Sequence, residues 1–141
     1  KGPGLEPLRE LARQSTAAGH IDIAGFVPEA DIEAAWARAS LLAMPSLTEG
    51  FGLVFIEAMR RGLPVIASSA DAGQEVNVDG ATGYTIARDN SGRLVDAIVA
   101  LLRDSDLAAK FGAAGAERWR AEFSFSAFER RLVAALGDFL A

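Results

Sequence analysis

The stretch MPSLTEGFGLVFIEAMRRGLPVIAS, Met44 to Ser68, decides the fold of this chain. An apolar run stops at Pro45, a turn crosses Gly50 and Gly52 around Phe51, and a helical pattern carries Glu57 as far as Gly62. LPVIAS is then apolar without alternation, as a strand covered on both faces must be. LLAMP, just upstream, has the same character and ends where the glycine turn begins. Strand, glycine turn, helix and strand in that order predict a parallel sheet covered by helices, an α/β domain.

Working outward, VPEADIEAAWARAS places Ile32, Ala35, Trp36 and Ala39 at helical spacing, behind Pro28 and acidic residues. HIDIAGF before it reads as a short strand ending at Gly25. The opening KGPGLEPLRELARQ runs from a Gly-Pro-Gly turn into a helix along Leu5, Leu8, Leu11 and Ala12. Such a turn ordinarily follows a strand, so the chain is expected to be a piece of a longer protein. On the other side, SADAGQEVNVDGATG is a polar loop and YTIA a last short strand. Helices follow, with faces along Leu94, Ala97, Ile98 and Leu101, and along Leu107, Phe111, Ala114 and Trp119. Ser126 and Glu129 form a capping-box pattern for a final helix carrying Phe128, Leu132, Leu136, Phe139 and Leu140, with Phe123 and Phe125 expected to pack against it.

Composition narrows the partners. Half of the 141 residues are apolar and 23% are charged, enough for a packed core. The net charge is −5 without a basic run, so nucleic acid is not an expected partner. Cysteine is absent and His20 stands alone, which excludes disulfides, thiolate metal sites and histidine clusters. No apolar run reaches the roughly 18 residues of a membrane span, and a reduced, cytoplasmic setting is expected.

The turn itself suggests chemistry. In an open parallel sheet, ligands sit beyond the carboxyl ends of the strands, where loops enter helices. A helix start offers unpaired N–H groups and partial positive charge to an anion. Gly50 and Gly52 remove the side chains that would hold a ligand away, so N–H groups near Gly52, Leu53 and Val54 suit a phosphate. A carboxylate at Glu49 would repel that phosphate unless it faces hydroxyls of the same ligand, and Glu57 suits a second pair of hydroxyls. Sugar, diphosphate and ribose match this order.

The segment Glu49-Gly-Phe-Gly-Leu-Val-Phe-Ile-Glu57 with AMRRGLPVIAS resembles the Glu-x7-Glu region of retaining GT-B glycosyltransferases of group one, the set with glycogen-synthase-like and cell-surface polysaccharide enzymes. GPGLEPLRELA is similar to that family's Gly-x-Gly-Pro turn, IDIAGFVPEADIEAAWARASLLAMPS to its next strand, helix and strand, and AGQEVNVDGATGYTI to its Gly-Gly-x-x-Glu-x-x-x-Asp-Gly-x-x-Gly segment. The resemblance implies that residues 1–141 are a nucleotide-sugar-binding C-terminal domain, a Rossmann-like, three-layer α/β domain with a parallel sheet, the C-terminal half of a GT-B fold truncated at its N-terminal end and followed by helices. The acceptor domain and the first part of this domain would lie outside it.

In the intact enzyme, a hexose would pass with retention from a UDP- or GDP-linked sugar to a glycan or lipid-linked acceptor bound by the N-terminal domain. Glu49 would contact the donor sugar, Gly50, Phe51 and Gly52 would lie along it, Leu53 and Val54 would serve the diphosphate, Glu57 the ribose, and Phe26 and Val27 the nucleobase. No cofactor and no metal are expected. The setting implied is polysaccharide biosynthesis in the cytoplasm, with peripheral contact at the inner face of the membrane. The family's paired glycines stand here as Ala72-Gly73, and its upstream Arg and Lys for the diphosphate are absent, so the fragment alone is expected to be inactive. A non-catalytic nucleotide-sugar-binding or regulatory module on the same fold is the alternative.

Other signals have plainer readings. Asp104-Ser105-Asp106 resembles a metal-binding Asp-x-Asp, but stands where a helix needs a cap. Arg60 and Arg61 suit the negative end of a helix. Glu75 is a loop carboxylate by its own sequence and a cleft residue by the resemblance.

Overall fold

The computed structural model describes residues 2–46, 49–70, 72–87 and 89–140, the last three by their backbone. The chain divides after Arg38 into two compact units.

In the first unit, α1 (Leu5–Gln14) starts from the glycine turn, Leu5 N–H donating to the Gly2 carbonyl at 3.2 Å. Ion pairs Glu6–Arg9 and Glu10–Arg13, both 2.7 Å and three residues apart, line its exposed side. Hydrogen bonds from Arg13 and then Gln14 hold the Glu10 carboxyl below its ordinary range. Leu8 and Leu11 remain exposed, beside a groove of about 580 Å³ that Ile21 and Ile23 also line. A single 3₁₀ turn, Ala18–His20, leads into residues 21–27. The strand expected over HIDIAGF does not form a ladder. Ile21 is extended, with φ −112° and ψ 115°, but this segment pairs with no strand among the described residues. Extended backbone becomes a strand only when a neighbour accepts and donates its hydrogen bonds. Helix α2 (Glu29–Arg38) follows, acidic at its start and basic at its end, as the helix dipole favours.

The second unit is built on three parallel strands in the order β1 (Leu42–Met44), β2 (Val65–Ser68), β3 (Gly83–Ile86). Leu42 is in register with Val65, and Val65 with Gly83. Every residue of β2 is buried, Val65 and Ala67 on one face and Ile66 and Ser68 on the other, so both faces are covered. β1 differs from its expectation: Leu42 and Met44 are half-buried and Ala43 is exposed, and among the described residues β1 has a neighbouring strand on one side only. β3 lies close against β2, where a Cβ on Gly83 would stand 1.7 Å from the Val65 carbonyl oxygen.

Helix α3 (Leu53–Arg60) buries Phe55, Ala58 and Met59, the i, i+3, i+4 face of an amphipathic helix. It ends in a Schellman motif: Gly62 takes φ +70°, its N–H donates to Met59, and Leu63 N–H reaches back to Ala58, both at 3.0 Å. The short α4 (Gly73–Val76) interrupts what reads as a polar loop. Helices α5 (Ser91–Arg103) and α6 (Ser105–Arg118) close a core of Ile66, Ile86, Ala97, Leu101 and Phe111, where Phe111 meets Tyr84 edge-on at 5.3 Å. Asp104 caps α6 by accepting from Leu107 N–H at 2.9 Å, the capping role its position suggested.

A π turn, Trp119–Phe123, leads into α7 (Phe125–Leu140). The cap of α7 is Ser124, whose Oγ accepts from Ala127 N–H at 3.2 Å, and Ser126 already lies inside the helix. The expected Ser126–Glu129 box is therefore displaced by two residues. Phe125 is 79% exposed and Phe128 also open, so neither packs beneath α7 among the described residues. The expected roles of Phe139 and Leu140 lie outside the described side chains.

Candidate functional site

The loops that leave β1 and β2 meet at the carboxyl end of the sheet, where Ala72 N–H donates to the Glu49 carbonyl at 3.4 Å. This is where an open parallel sheet binds ligands. The loop after β1 enters α3 through Gly52, which adopts the left-handed conformation, φ +86° and ψ 42°. A side chain there would be strained twice, by that backbone and by Phe55 Cδ2 at 2.5 Å from a Cβ. The Gly52 carbonyl accepts from Phe55 N–H at 3.0 Å and Ile56 N–H at 3.4 Å, which starts the helix. Leu53 and Val54 N–H groups have no acceptor among the described residues, so the positive end of α3 opens outward.

Glu49 is half-buried, and its side chain turns toward that same pole. Its Oε1 accepts from Gly52 N–H at 3.0 Å and lies 3.5 Å from Phe51 N. The sequence suggested that Glu49 would face hydroxyls of a ligand; the bond to Gly52 was not visible in it. Gly50 and Phe51 are exposed on the turn between.

Glu57 follows Leu53 by four residues and Val54 by three, and shares their side of the helix. Leu53 and Glu57 are both exposed, opposite Phe55, Ala58 and Met59. No ion pair joins Glu57 to Arg60 or Arg61 among the described residues. Arg60 lies over the Trp119 ring at 5.6 Å, and Arg61 donates to the Glu57 backbone carbonyl at 3.0 Å. Glu57 instead lines a groove of about 650 Å³ with Ile56, Arg60, Trp119, Phe123 and Phe125.

Phe26 and Val27 belong to the first unit, in the irregular stretch after Gly25, and Phe26 is 76% exposed. Glu75 is exposed on α4, and its carbonyl accepts from Arg118 Nη2 at 2.9 Å.

Several residues to which the sequence alone assigned no role hold the loops in place. Asn77, 2% exposed, donates to the Tyr84 carbonyl at 3.0 Å and accepts from Thr82 Oγ1 at 2.8 Å. Asp79 accepts from Thr85 N–H at 2.8 Å, and Arg118 Nε donates to the Val76 carbonyl at 2.9 Å. The traces of this network in the sequence were a dense run of turn-forming polar residues and the Asp79-Gly80 pair of the segment AGQEVNVDGATGYTI; its long-range partner, Arg118, left none.

A parallel sheet covered on both faces, with its loops gathered at the strands' carboxyl ends and a glycine-led helix opening there, is a Rossmann-like domain. The chain belongs to the family of glycosyl transferases group 1, which matches residues 1–118, and its sheet and flanking helices match the C-terminal half of a GT-B fold. It is 37% identical over 146 residues to a GDP-mannose-dependent alpha-(1-6)-phosphatidylinositol monomannoside mannosyltransferase of Mycobacterium tuberculosis, covering 99% of this chain and 37% of that protein. The chain thus spans little more than a third of that relative's length. Among solved structures, the C-terminal domain of a glycosyl transferase group 1 family protein, LpcC, from Francisella tularensis superimposes with a TM-score of 0.75 at 27% identity, covering 89% of this chain and 66% of that one. Anabaena HepE, solved in complex with UDP and glucose, gives 0.74 at 26% identity, covering 95% of this chain and 37% of that one.

Proposed function

We propose that this chain is the nucleotide-sugar-binding C-terminal domain of a retaining glycosyltransferase, which moves a hexose from a UDP- or GDP-linked donor to a glycan or lipid-linked acceptor. The observation that carries the proposal is the open N-terminus of α3, with free Leu53 and Val54 N–H groups between two carboxylates, Glu49 and Glu57. Backbone N–H groups there suit the diphosphate, Glu49 the hydroxyls of the hexose, and Glu57 those of the ribose. The backbone of Gly50, Phe51 and Gly52 is assigned to the side of the hexose, where the two glycines bring no side chain. A relative that uses GDP-mannose and a structural neighbour solved with UDP and glucose support the donor class and leave both bases in play.

In transfer, negative charge grows on the departing nucleoside diphosphate as its bond to the hexose breaks. The helix pole is already oriented toward that charge and stabilises it without reorganising, which is electrostatic catalysis. The proposed mechanism asks for no metal and no cofactor, because fixed N–H dipoles supply the positive field. The acceptor belongs to the rest of the intact enzyme. We place that enzyme on the cytoplasmic side, peripheral to the membrane when its acceptor is a lipid; no helix among the described residues is long and apolar enough to cross one.

The test is titration of the ¹⁵N-labelled protein with UDP, GDP and their hexose conjugates. Shifts are expected at Gly52, Leu53, Val54 and Glu57. Their absence at about millimolar ligand, a concentration that detects binding worth about 4 kcal/mol, rejects the site.

A further inference from the structure

We propose that Arg118 is a positioning residue of the donor site, holding α4 so that Glu49 keeps its place against the hexose. The inference rests on the donor-binding reading above. It comes from a long-range fork: Arg118 Nε donates to the Val76 carbonyl and Nη2 to the Glu75 carbonyl, both at 2.9 Å, across 42 and 43 residues of chain.

α4 is one turn long, and a single helical turn does not hold itself together in water. Its last carbonyls have no partner within the helix. The guanidinium supplies two donors to neighbouring carbonyls, which a planar fork does and a compact ammonium does not. Gly73 and Val76 are buried, so the turn is packed as well as tied. At its start, Ala72 N–H donates to the Glu49 carbonyl at 3.4 Å. A shift of α4 therefore moves the main chain of Glu49, whose carboxylate is assigned to the hexose. Asn77 anchors the chain just beyond α4 to β3, so loss of Arg118 frees this turn and not the whole loop.

The fork stands on a firm base. Arg118 ends α6, and α6 is seated closely on α3. A side chain on Gly112 would run into the Gly62 carbonyl, and a Cβ on Gly115 would stand 3.3 Å from Met59 Cγ. One residue past the fork, the Trp119 ring lies under Arg60 of α3 at 5.6 Å, and Arg118 itself lies over the Phe123 ring at 5.5 Å. α6 thus sets the spacing between α3, which carries Leu53, Val54 and Glu57, and α4, which steadies Glu49.

The test compares the unaltered protein with Arg118→Met, which loses both donors, and Arg118→Lys, which keeps the charge without the fork. Calorimetry measures dissociation constants for UDP, GDP, UDP-glucose and GDP-mannose, and ¹⁵N spectra follow the Ala72 amide. In Arg118→Met the hexose conjugates should bind about tenfold more weakly, the loss of one charge-assisted hydrogen bond, while free UDP and GDP change by less than about twofold. Arg118→Lys, the milder change should the Met variant fail to fold, should show the same pattern at about threefold. Exchange of the Ala72 amide should quicken in both variants with no ligand present. In a Glu49→Ala background the change at Arg118 should add nothing, because its effect passes through Glu49. Equal weakening of free and hexose-bearing ligands, or a full effect in the Glu49→Ala background, makes Arg118 a brace of the fold alone and overturns the proposal. Unchanged affinity for the hexose conjugates in both variants overturns it too, and each of these results leaves the donor site standing. No binding of any of the four ligands by the unaltered protein overturns the donor reading and this proposal with it.

Discussion

Gly52 and Glu57 have different tasks in the proposed site, one of shape and one of chemistry, and substitution separates them. At Gly52 the left-handed backbone and the Phe55 ring both exclude a side chain. Gly52→Ala should therefore lose about 1–3 kcal/mol in denaturant unfolding and tilt the first turn of α3. A loss below half a kcal/mol would mean that the loop relaxes at no cost. Glu57 is the opposite case, exposed and unpaired by salt bridges among the described residues. Glu57→Gln should leave the melting temperature within about a degree, as surface changes usually do. Yet it should weaken the nucleotide-sugar donor about tenfold, the value of a charge-assisted hydrogen bond. Unchanged donor affinity would remove Glu57 from the ribose. The turn at Gly52 and the place of Glu57 on the helix were legible in the sequence, because a glycine-flanked turn and a carboxylate about a turn and a half later are local signals. The bond from Glu49 to Gly52 was not, because it depends on a side-chain rotamer.

Among the elements, those read correctly are those whose evidence is local and dense. β2 announces itself by an unbroken apolar run, and α3 by an apolar face bounded by Gly52 and Gly62. Residues 21–24 failed as a strand because pairing belongs to two segments, and a sequence displays only one of them. α4 escaped notice because four residues show no period, and its carbonyls are held by Arg118, some forty residues away. The start of α7 failed in a third way: two serines stand two residues apart, and the capping-box pattern selected Ser126 over Ser124. This last case is open to a direct comparison. Ser124→Ala should cost about 1 kcal/mol of stability through the lost cap, whereas Ser126→Ala should fall within about half a kcal/mol of neutral. Chemical denaturation of the two variants side by side reads the difference, and the reverse order would restore the Ser126 box.

Across the whole molecule, burial is distributed unequally. The fully buried residues Phe55, Met59, Val65 and Ile66, and the cluster around Phe111, all belong to the second unit. In the first unit neither helix contains a buried residue, and Leu8, Leu11 and Ile21 are exposed. Surface ion pairs such as Glu6–Arg9 cannot make up for a missing core, since exposed pairs contribute at most about 1 kcal/mol each. Hydrophobic burial is the term that offsets chain entropy, so the two units of this 141-residue chain should differ in local stability. Native-state hydrogen exchange measures this directly. Amides of β2 and of α3 beyond its first turn should open only with global unfolding, while those of α1 and α2 should exchange through openings several kcal/mol less costly. Adding urea should slow none of them, but should bring the two classes together near the midpoint, where global unfolding dominates. If α1 amides instead matched β2 at every urea concentration, the first unit would be part of one cooperative structure, and its exposed leucines would need a stabilising partner.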